Sequence, residues 1–293
     1  MLWIALTVAA APLQVARNAL QRGLMAEAGP WGATLVRFLF GLPFALVIFA
    51  VVASLTPLAE PSFTLRFWIT VSAGALGQVL ATAALLGAMR RSGFGVATFM
   101  QQASLPLAAV MGLVLFDDRL GLQAWAGVAL TTAGLAALSW PGRGASAGAL
   151  TGAVMGLASG AAFAVALNGY RQAGLALKPD YPIYAATAAL CVAQTLQSLC
   201  LVTWLAVVRP QALRAVAKAW KPSLGAGFFG AAASACWFSA LALAPAGMVR
   251  AVGVIEAPIA AAAGRRLFQE QMSLRQILAG AATAAGVVMT ALG

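Results

Sequence analysis

A single acidic residue, Glu256, lies deep within a long apolar segment, where an ionisable group is costly and is a functional suspect. It lies about ten residues into the segment, or about 15 Å along a helix, which reaches the middle of a bilayer core. Pro258 follows two residues later and frees a carbonyl group because it lacks a backbone donor. A carboxylate at this depth can accept an ammonium group or carry a proton. The alternative is a structural ion pair with an arginine.

Four basic residues lie inside apolar segments or near their ends: Arg17, Arg37, Arg171 and Arg250. A guanidinium group binds carboxylates through paired hydrogen bonds, so Arg37 and Arg250 are candidate partners for a carboxylate. Arg17 and Arg250 lie near segment ends, where a long side chain can instead reach out to water. For all four residues, a structural role is the alternative.

Uncharged polar side chains within the apolar segments are candidates to line a central cavity. Gln101 and Ser104 share a helical face, and Gln102 lies beside them. Trp237 shares a face with Ser234, and its ring can stack on a bound side chain. Hydrogen bonding between helices and aromatic packing are the structural alternatives. The predicted substrate-binding set is Gln78, Gln101, Ser104, Asn168, Ser234, Trp237 and Glu256, with Arg37 and Arg250 as possible charge partners.

The sequence gives no support for catalysis or for metal binding. It contains no histidine, which excludes histidine metal sites, catalytic triads and histidine proton relays. Its three cysteines, Cys191, Cys200 and Cys236, lie in apolar segments without metal-ligand spacing. No nucleophile elbow, P-loop, HExxH or paired-acid motif is present. We therefore predict no catalytic residue, no metal and no cofactor.

The elements that must position these side chains are membrane spans. The 293 residues are 62% hydrophobic and 9% charged, with a mean hydropathy of +0.91. Soluble domains are about 45–50% apolar and about 25% charged. The net charge of +11 comes from basic residues in short loops, so membrane orientation explains it better than nucleic-acid binding. The first apolar segment lacks a basic leader, which favours a retained helix over a cleaved signal peptide.

Cutting the chain at charged or Pro/Gly-containing breaks gives ten apolar segments of about the length that a span needs. They cover residues 2–21, 31–55, 66–89, 93–116, 120–140, 147–173, 182–207, 222–243, 246–267 and 273–292. The sequence therefore predicts an all-α integral membrane protein with ten transmembrane helices.

The loops differ sharply in basic residues, which predicts the orientation. The loops of one face hold eleven: Arg22, Arg90, Arg91, Arg143, Arg209, Arg214, Lys218, Lys221, Arg265, Arg266 and Arg275. The loops of the other face hold three: Arg66, Arg119 and Lys178. The positive-inside rule places the first set in the cytoplasm, so both termini are predicted to be periplasmic. A reporter that works only in the cytoplasm should then stay silent at Gly293.

The chain also matches itself at an offset of 152 residues. This offset superposes Gly95 on Gly247, Pro106 on Pro258, Gly112 on Gly264, Phe116 on Phe268, Asp118 on Glu270 and Gly134 on Gly286. We interpret residues 1–143 and 144–293 as two five-helix repeats. Because five is odd, the second repeat is inverted, as in many secondary transporters. The alternative is that small-residue patterns only serve close helix packing.

The segment LFDDRLGLQAWAG after Pro106 and the segment LFQEQMSLRQILAG after Pro258 resemble the repeated EamA unit of the drug/metabolite transporter superfamily. The resemblance covers essentially the whole chain, and Asp117-Asp118 replaces the usual glutamate in the first copy. It implies a 5+5 inverted-repeat carrier, often an exporter of amino acids or related metabolites. Within the superfamily, the chain looks most like the YddG-type amino-acid exporters.

We therefore expect a secondary transporter that exports amino acids or related small polar metabolites across a bacterial-type inner membrane by alternating access. No ATP-binding element is present, so uphill transport must draw on an ion gradient or on exchange, with protons as a possible coupling ion. The alternatives are an exporter of drugs or cationic metabolites, an intramembrane enzyme, and a membrane scaffold without transport activity. We expect Glu256→Gln to melt like the parent and to transport poorly, unless Glu256 belongs to a structural ion pair.

Overall fold

The computed structural model describes residues 1–139, 147–177, 180–256, 259–260, 262–263 and 274–292, and most of them are helical. Helices are the only regular secondary structure in these residues, which confirms the all-α prediction for them. The physical reason is that a helix satisfies every backbone donor and acceptor within its own segment. The abundant alanine and leucine also have the highest helix propensities.

Twelve helices have described bounds, and residues 256, 259–260 and 262–263 are also helical. The twelve helices are α1 (Leu2–Leu39), α2 (Leu42–Leu55), α3 (Leu65–Ser92), α4 (Phe94–Gln101), α5 (Ser104–Phe116), α6 (Leu122–Ser139), α7 (Ala147–Leu177), α8 (Pro182–Val208), α9 (Pro210–Lys218), α10 (Trp220–Leu243), α11 (Ala246–Gly253) and α12 (Leu274–Leu292).

Five segments of the described chain are long and apolar enough to cross a membrane. They are Leu2–Leu55, Leu65–Ser92, Leu150–Leu177, Pro182–Val208 and Trp220–Leu243. Helix α2 shows the apolar exterior most clearly, because Ala45 is its only buried residue while Leu46, Val47 and Val51 are at least half exposed. A helix with this exposed apolar surface is suited to lipid rather than to water.

The first long segment contains a sharp break at Gly29, whose φ of 67° lies in the left-handed region that glycine adopts readily. Pro30 follows directly and begins the next stretch, where a proline is tolerated because its missing donor is not needed. The sequence predicted a break between the segments 2–21 and 31–55, and Gly29 lies within it. The helix before it is longer than predicted, since it continues past residue 21 to this kink.

The described chain forms two compact units, each discontinuous in sequence. Unit 1 comprises residues Met1–Val79 and Ala166–Ala244, and unit 2 comprises Leu80–Val165 and Pro245–Gly293. Each unit therefore draws on both predicted repeats, 1–143 and 144–293. Compactness and repetition are different properties, so the repeats stay a prediction, and the boundary between residues 143 and 144 lies outside the described residues.

Unit 1 is held together by close packing of α1 against α8, α9 and α10. Leu35, Val36 and Phe38 of α1 are fully buried in a core with Leu205 of α8. At Gly227 of α10, a Cβ atom would collide with the backbone carbonyl of Phe40. The glycine therefore allows the backbone of α10 to touch the turn between α1 and α2, in the way that small residues allow close backbone approach in membrane proteins.

Unit 2 contains a reciprocal contact between α6 and α12. A Cβ atom at Gly134 would collide with the hydroxyl of Thr283, and a Cβ atom at Gly286 would collide with the hydroxyl of Thr131. Both the two glycines and the two threonines are 152 residues apart. From Thr131 to Gly134 the residue number increases along α6, while that of the contacting residue on α12 decreases from 286 to 283. The two helices therefore pack antiparallel. Gly134 contacts Thr283, and the residues equivalent to these two, Gly286 and Thr131, contact each other in the same way. Such an exchange of equivalent residues is the pattern of a local two-fold axis.

Helix α5 ends in a loop that contains the acids of the EamA-like motif. Asp117 has a φ of 53°, and the amides of Asp117 and Asp118 donate to carbonyl groups of the last helical turn, which is a common helix ending. Arg119 Nε donates to Asp117 Oδ1 over 2.9 Å in an exposed ion pair. This hydrogen bond, together with the carboxylate charge, raises the pKa of Arg119 above its usual value. The second copy of the motif, around Phe268 and Glu270, lies outside the described residues.

Candidate functional site

The candidate site in unit 2 is built on an interruption between α4 and α5. Helix α4 ends at Gln101, a turn covers Gln102 and Ala103, and α5 begins at Ser104. Pro106 accounts for the interruption, because a proline cannot donate to the carbonyl four residues before it, which is that of Gln102. The Gln102 carbonyl accepts instead from the amide of Leu105, over 2.9 Å.

A second interruption follows α11. This helix ends at Gly253, a turn covers Val254 and Ile255, and helical structure resumes at Glu256. The amides of Val254 and Ile255 bond three residues back rather than four. In the sequence, Pro258 follows Glu256 by two residues, just as Pro106 follows Ser104 by two. Pro258 itself lies outside the described residues.

The two interruptions match each other residue for residue. Helices α4 and α11 each have eight residues, and their first and last residues are each 152 positions apart. Ser104 and Glu256 begin the structure after each break and are separated by the same interval. Interrupted helices at corresponding positions of two halves are the usual sequence pointer to a transporter binding site.

Arg250 joins the two interruptions through buried contacts. Its Nε donates to Ser104 Oγ over 2.7 Å, and its Nη2 donates to Gln102 Oε1. Its Nη1 lies 3.4 Å from Glu256 Oε2, in an ion pair whose side chains are 4% and 0% exposed. The cluster therefore contains one buried positive charge and one buried negative charge.

Glu256 was predicted either to accept an ammonium group or a proton, or to form a structural ion pair with an arginine. Both roles involve the pair with Arg250. The structure contains the ion pair with an arginine, and a carboxylate held by one arginine can also exchange that partner for a ligand. Arg17 and Arg250 do not reach out to water, because they are 0% and 4% exposed. The alternative that these two side chains reach out to water is therefore wrong.

Unit 1 contains a different polar group, formed by α3, α7 and α8. Tyr170 Oη donates to Gln78 Oε1 over 2.8 Å. Gln197 Nε2 lies within hydrogen-bond distance of Gln78 Oε1, Tyr170 Oη and the carbonyl of Ala75, at 2.8, 2.9 and 3.1 Å. All three side chains are buried. The group is uncharged and ties the three helices together.

Two buried arginines lie near α10 in the same unit. Arg37 Nη2 donates to Ser234 Oγ over 3.3 Å, and Arg17 Nη2 donates to Asn18 Oδ1 over 2.6 Å. A Cβ atom at Gly230 would lie 3.2 Å from Arg37 Cγ and 3.4 Å from Arg17 Cδ. The missing side chain at Gly230 therefore makes room for both arginines.

The remaining predicted residues are also buried. Asn168 and Trp237 are 1% and 7% exposed and belong to unit 1, where Phe238, next to Trp237, packs its ring 4.0 Å from that of Tyr170. Gln101 is 1% exposed and belongs to unit 2, but no hydrogen bond joins its Oε1 atom to the Arg250 cluster.

The predicted residues thus fall into two groups. Unit 1 holds Arg37, Gln78, Asn168, Ser234 and Trp237, and unit 2 holds Gln101, Ser104, Arg250 and Glu256. The structure brings Ser104, Arg250 and Glu256 into one hydrogen-bonded cluster and joins Arg37 to Ser234. It joins Gln78 to residues that the sequence did not single out.

Sequence reasoning missed a polar face on α8. Gln194, Gln197 and Ser198 are three and four residues apart, which puts them on one helical face. This spacing inside the apolar segment 182–207 was the signal that could have identified them. Among the described residues, no group of three or more His, Cys, Asp or Glu side chains could hold a metal ion.

Comparisons with known proteins identify the fold alone. No protein-family model matches the chain, and no curated protein matches it. Solved structures do match, in 28 chains. One of them, a crystal structure described only as that of a protein, is similar with a TM-score of 0.60 and 16% identity. The match covers 98% of this chain and 96% of the other, so the likeness extends over essentially the whole fold.

Proposed function

We propose that this chain is a secondary transporter of the EamA type that exports amino acids or related small polar metabolites across a bacterial-type inner membrane by alternating access. In this proposal, ten spans form two inverted five-helix repeats, and the substrate binds at the paired helix interruptions of unit 2. Proton coupling or exchange drives uphill movement.

One observation carries the proposal: two helices of equal length are interrupted at positions 152 residues apart, and the buried Arg250–Glu256 pair lies at these interruptions. Charged groups inside a membrane protein are expensive and mark ion or substrate pathways. Irregular backbone at membrane depth is tolerated mainly where it lines a cavity or is buried in protein. Both features occur here at one place.

The reciprocal contact between α6 and α12 supports the inverted repeat. A two-fold axis in the membrane plane requires that equivalent helices run antiparallel, and the Gly134–Thr283 and Thr131–Gly286 contacts have that sense. An axis along the membrane normal would leave equivalent helices parallel. The contact therefore favours inverted over parallel repeats.

The charge balance of the cluster supports amino acids over lipophilic cations. A zwitterion can insert between Arg250 and Glu256 with its carboxylate on the guanidinium and its ammonium on the carboxylate, which leaves every buried charge paired. A lipophilic cation would take Glu256 and leave the buried guanidinium of Arg250 without its carboxylate. Ser104 and Gln102 can hold Arg250 in place during the exchange.

Uptake by proteoliposomes tests the proposal. Purified protein should transport one or more members of an amino-acid panel, and Glu256→Gln should abolish that uptake. Asp117→Asn is the matched control, because it neutralises the acid of an exposed ion pair. Asparagine also tolerates the left-handed conformation found at this position. Transport of lipophilic cations without any amino acid would contradict the proposal.

A further inference from the structure

The short helix α9 connects α8 and α10, which are both long and apolar enough to cross a membrane. Val207 and Val208, at the end of α8, are exposed apolar residues, and so are Leu224 and Phe228 near the start of α10. Exposed apolar side chains of this kind are suited to lipid. Between them lie four exposed basic residues: Arg209, Arg214, Lys218 and Lys221.

The apolar side of α9 packs against the rest of unit 1. Val216 is buried in the core that α1 and α8 form, and a Cβ atom at Gly32 of α1 would lie 3.3 Å from Val216 Cγ2. Ala212, one turn earlier, packs against the same core. Arg214 and Lys218 follow these two residues at an interval of two, which is a rotation of about 200° on a helix. The packing of α9 therefore directs both basic side chains away from the protein.

The elements around α9 supply no acid that neutralises the basic residues. Helices α8, α9 and α10 contain no Asp or Glu, and α1 contains only Glu27. No ion pair joins any of the four basic side chains to an acid of the described chain. Lys221 Nζ instead lies 5.6 Å from the ring centroid of Trp220. The four charges are therefore open to an anion from outside the chain.

The tryptophans beside α9 indicate its depth. Trp204, one turn before the end of α8, and Trp220, the first residue of α10, are both exposed. The ring of Trp204 packs against that of Trp31 on α1, with 4.9 Å between the centroids. Tryptophan is enriched where the hydrocarbon core of a bilayer meets the headgroups. This enrichment favours a position of α9 at the level of the headgroups.

We infer that α9 is an interfacial helix whose exposed basic residues, Arg209, Arg214, Lys218 and Lys221, bind the phosphate groups of anionic phospholipids. The partner is the lipid surface rather than a soluble phosphate, because exposed apolar residues adjoin the basic residues on both flanking helices. A basic residue close to an anionic membrane surface strengthens binding about fivefold. The inference needs α8 and α10 to span a membrane, but it does not depend on the proposed transport of amino acids.

Thermal unfolding of the full-length protein in a zwitterionic detergent tests the inference with phosphatidylglycerol and phosphatidylcholine of identical acyl chains. Phosphatidylglycerol should raise the melting temperature in a saturable manner, and phosphatidylcholine should not. Added salt should weaken the effect, because exposed charges are screened. Glycerol phosphate, the soluble headgroup fragment, should have no effect at the same concentration. Equal effects of the two lipids, an equal effect of glycerol phosphate, or no effect of phosphatidylglycerol would each overturn the inference.

Substitutions assign the effect to α9. Arg214→Gln and Lys218→Gln should each raise the half-saturating concentration of phosphatidylglycerol about fivefold, and together about 25-fold. Both should melt like the parent without lipid, because the two side chains are exposed. Arg214→Lys keeps the charge and should keep the affinity. Arg90→Gln is the matched control, since Arg90 is an exposed basic residue near the end of α3.

Two outcomes with these variants would contradict the inference. A shift for Arg90→Gln as large as that for Arg214→Gln would show that net charge, rather than α9, selects the lipid. A lower melting temperature of Arg214→Gln or Lys218→Gln without lipid would show that the basic side chains serve the fold.

Discussion

The bonded polar clusters of the two units differ in charge: that of unit 2 contains an ion pair, whereas that of Gln78, Tyr170 and Gln197 in unit 1 is neutral. In unit 2, Arg250 is held by a carboxylate, an amide and a hydroxyl, so its charge is matched within the cluster. In unit 1, the amide nitrogen of Gln197 lies within hydrogen-bond distance of three atoms on α3 and α7, whereas both amide atoms of Gln194 lack a partner among the described residues. The comparison teaches that burial alone does not identify a binding residue. An unbonded buried atom does not identify one either, since Gln101 Oε1 and Gln102 Nε2 of unit 2 also lack a hydrogen-bond partner among the described residues.

The largest expected effect is at Glu256. Glu256→Gln leaves the guanidinium of Arg250 buried without its carboxylate, so the free energy of unfolding should fall by about 3–5 kcal/mol. This replaces the expectation, drawn from the sequence, that the variant melts like the parent. Chemical denaturation in detergent measures the loss. An unchanged stability would mean that Glu256 carries its charge independently of Arg250.

The double variant Arg250→Met/Glu256→Gln sharpens this prediction. It removes both charges, so most of the lost stability should return while transport stays absent. A double-mutant cycle over the two positions then isolates the interaction between the side chains. Additive single effects would show that the two side chains do not act as a pair.

A smaller effect is expected at Ser104. Ser104→Ala removes one hydrogen bond to the buried guanidinium, which should cost about 2 kcal/mol, because bonds to charged groups are stronger than neutral ones. The melting temperature reports the loss, and the substrate affinity should fall with it if Ser104 positions Arg250. A stability equal to that of the parent would mean that the serine hydroxyl is not needed there.

The neutral group of unit 1 should be less costly to break. Gln197→Leu removes a neutral amide from Gln78 and Tyr170 and should lower the free energy of unfolding by about 1 kcal/mol. Gln194→Leu, one turn earlier on the same face, should leave the free energy of unfolding unchanged. Urea or thermal unfolding of both variants under one condition makes the comparison. Equal losses would contradict the distinction between bonded and unused amides.

The smallest effect is expected at the exposed pair. Asp117→Asn removes the partner of Arg119, whose side chain is 80% exposed and therefore well solvated. Surface ion pairs contribute little, so neither the melting temperature nor uptake should change measurably. A clear loss in either would show that the helix ending at Asp117 matters for reasons other than its charge.

Much of the fold follows from local chemistry. The break at Gly29 was predicted, since glycine and proline act through their own backbones. Residues 93–116 were predicted as one continuous span, although Pro106 was the signal for the interruption between Gln101 and Ser104. Glu256 and Arg250 were predictable as functional suspects because charge inside an apolar segment is rare. Their pairing was left open as an alternative, because sequence shows which charges are buried but not which of several arginines is near.

The polar face of α8 shows why the rest could not be predicted. A glutamine in a span is equally suited to bonding a neighbouring helix and to bonding a ligand, and Gln194 and Gln197 are the same residue type three positions apart. What separates them is the presence of Tyr170 and Gln78 beside one and Gly41 beside the other. Such tertiary neighbours are not encoded in local periodicity.

The contact between Gly134 and Thr283 also has a consequence for biosynthesis. The partner of Gly134 is made 149 residues later, which at typical rates of translation is on the order of 7–30 s. During that time, the small-residue surface of α6 lacks the helix against which it packs. The contact between α6 and α12 can therefore form only after residues 274–292 have been made. A chain truncated before α12 would leave Gly134 and Thr131 without these partners.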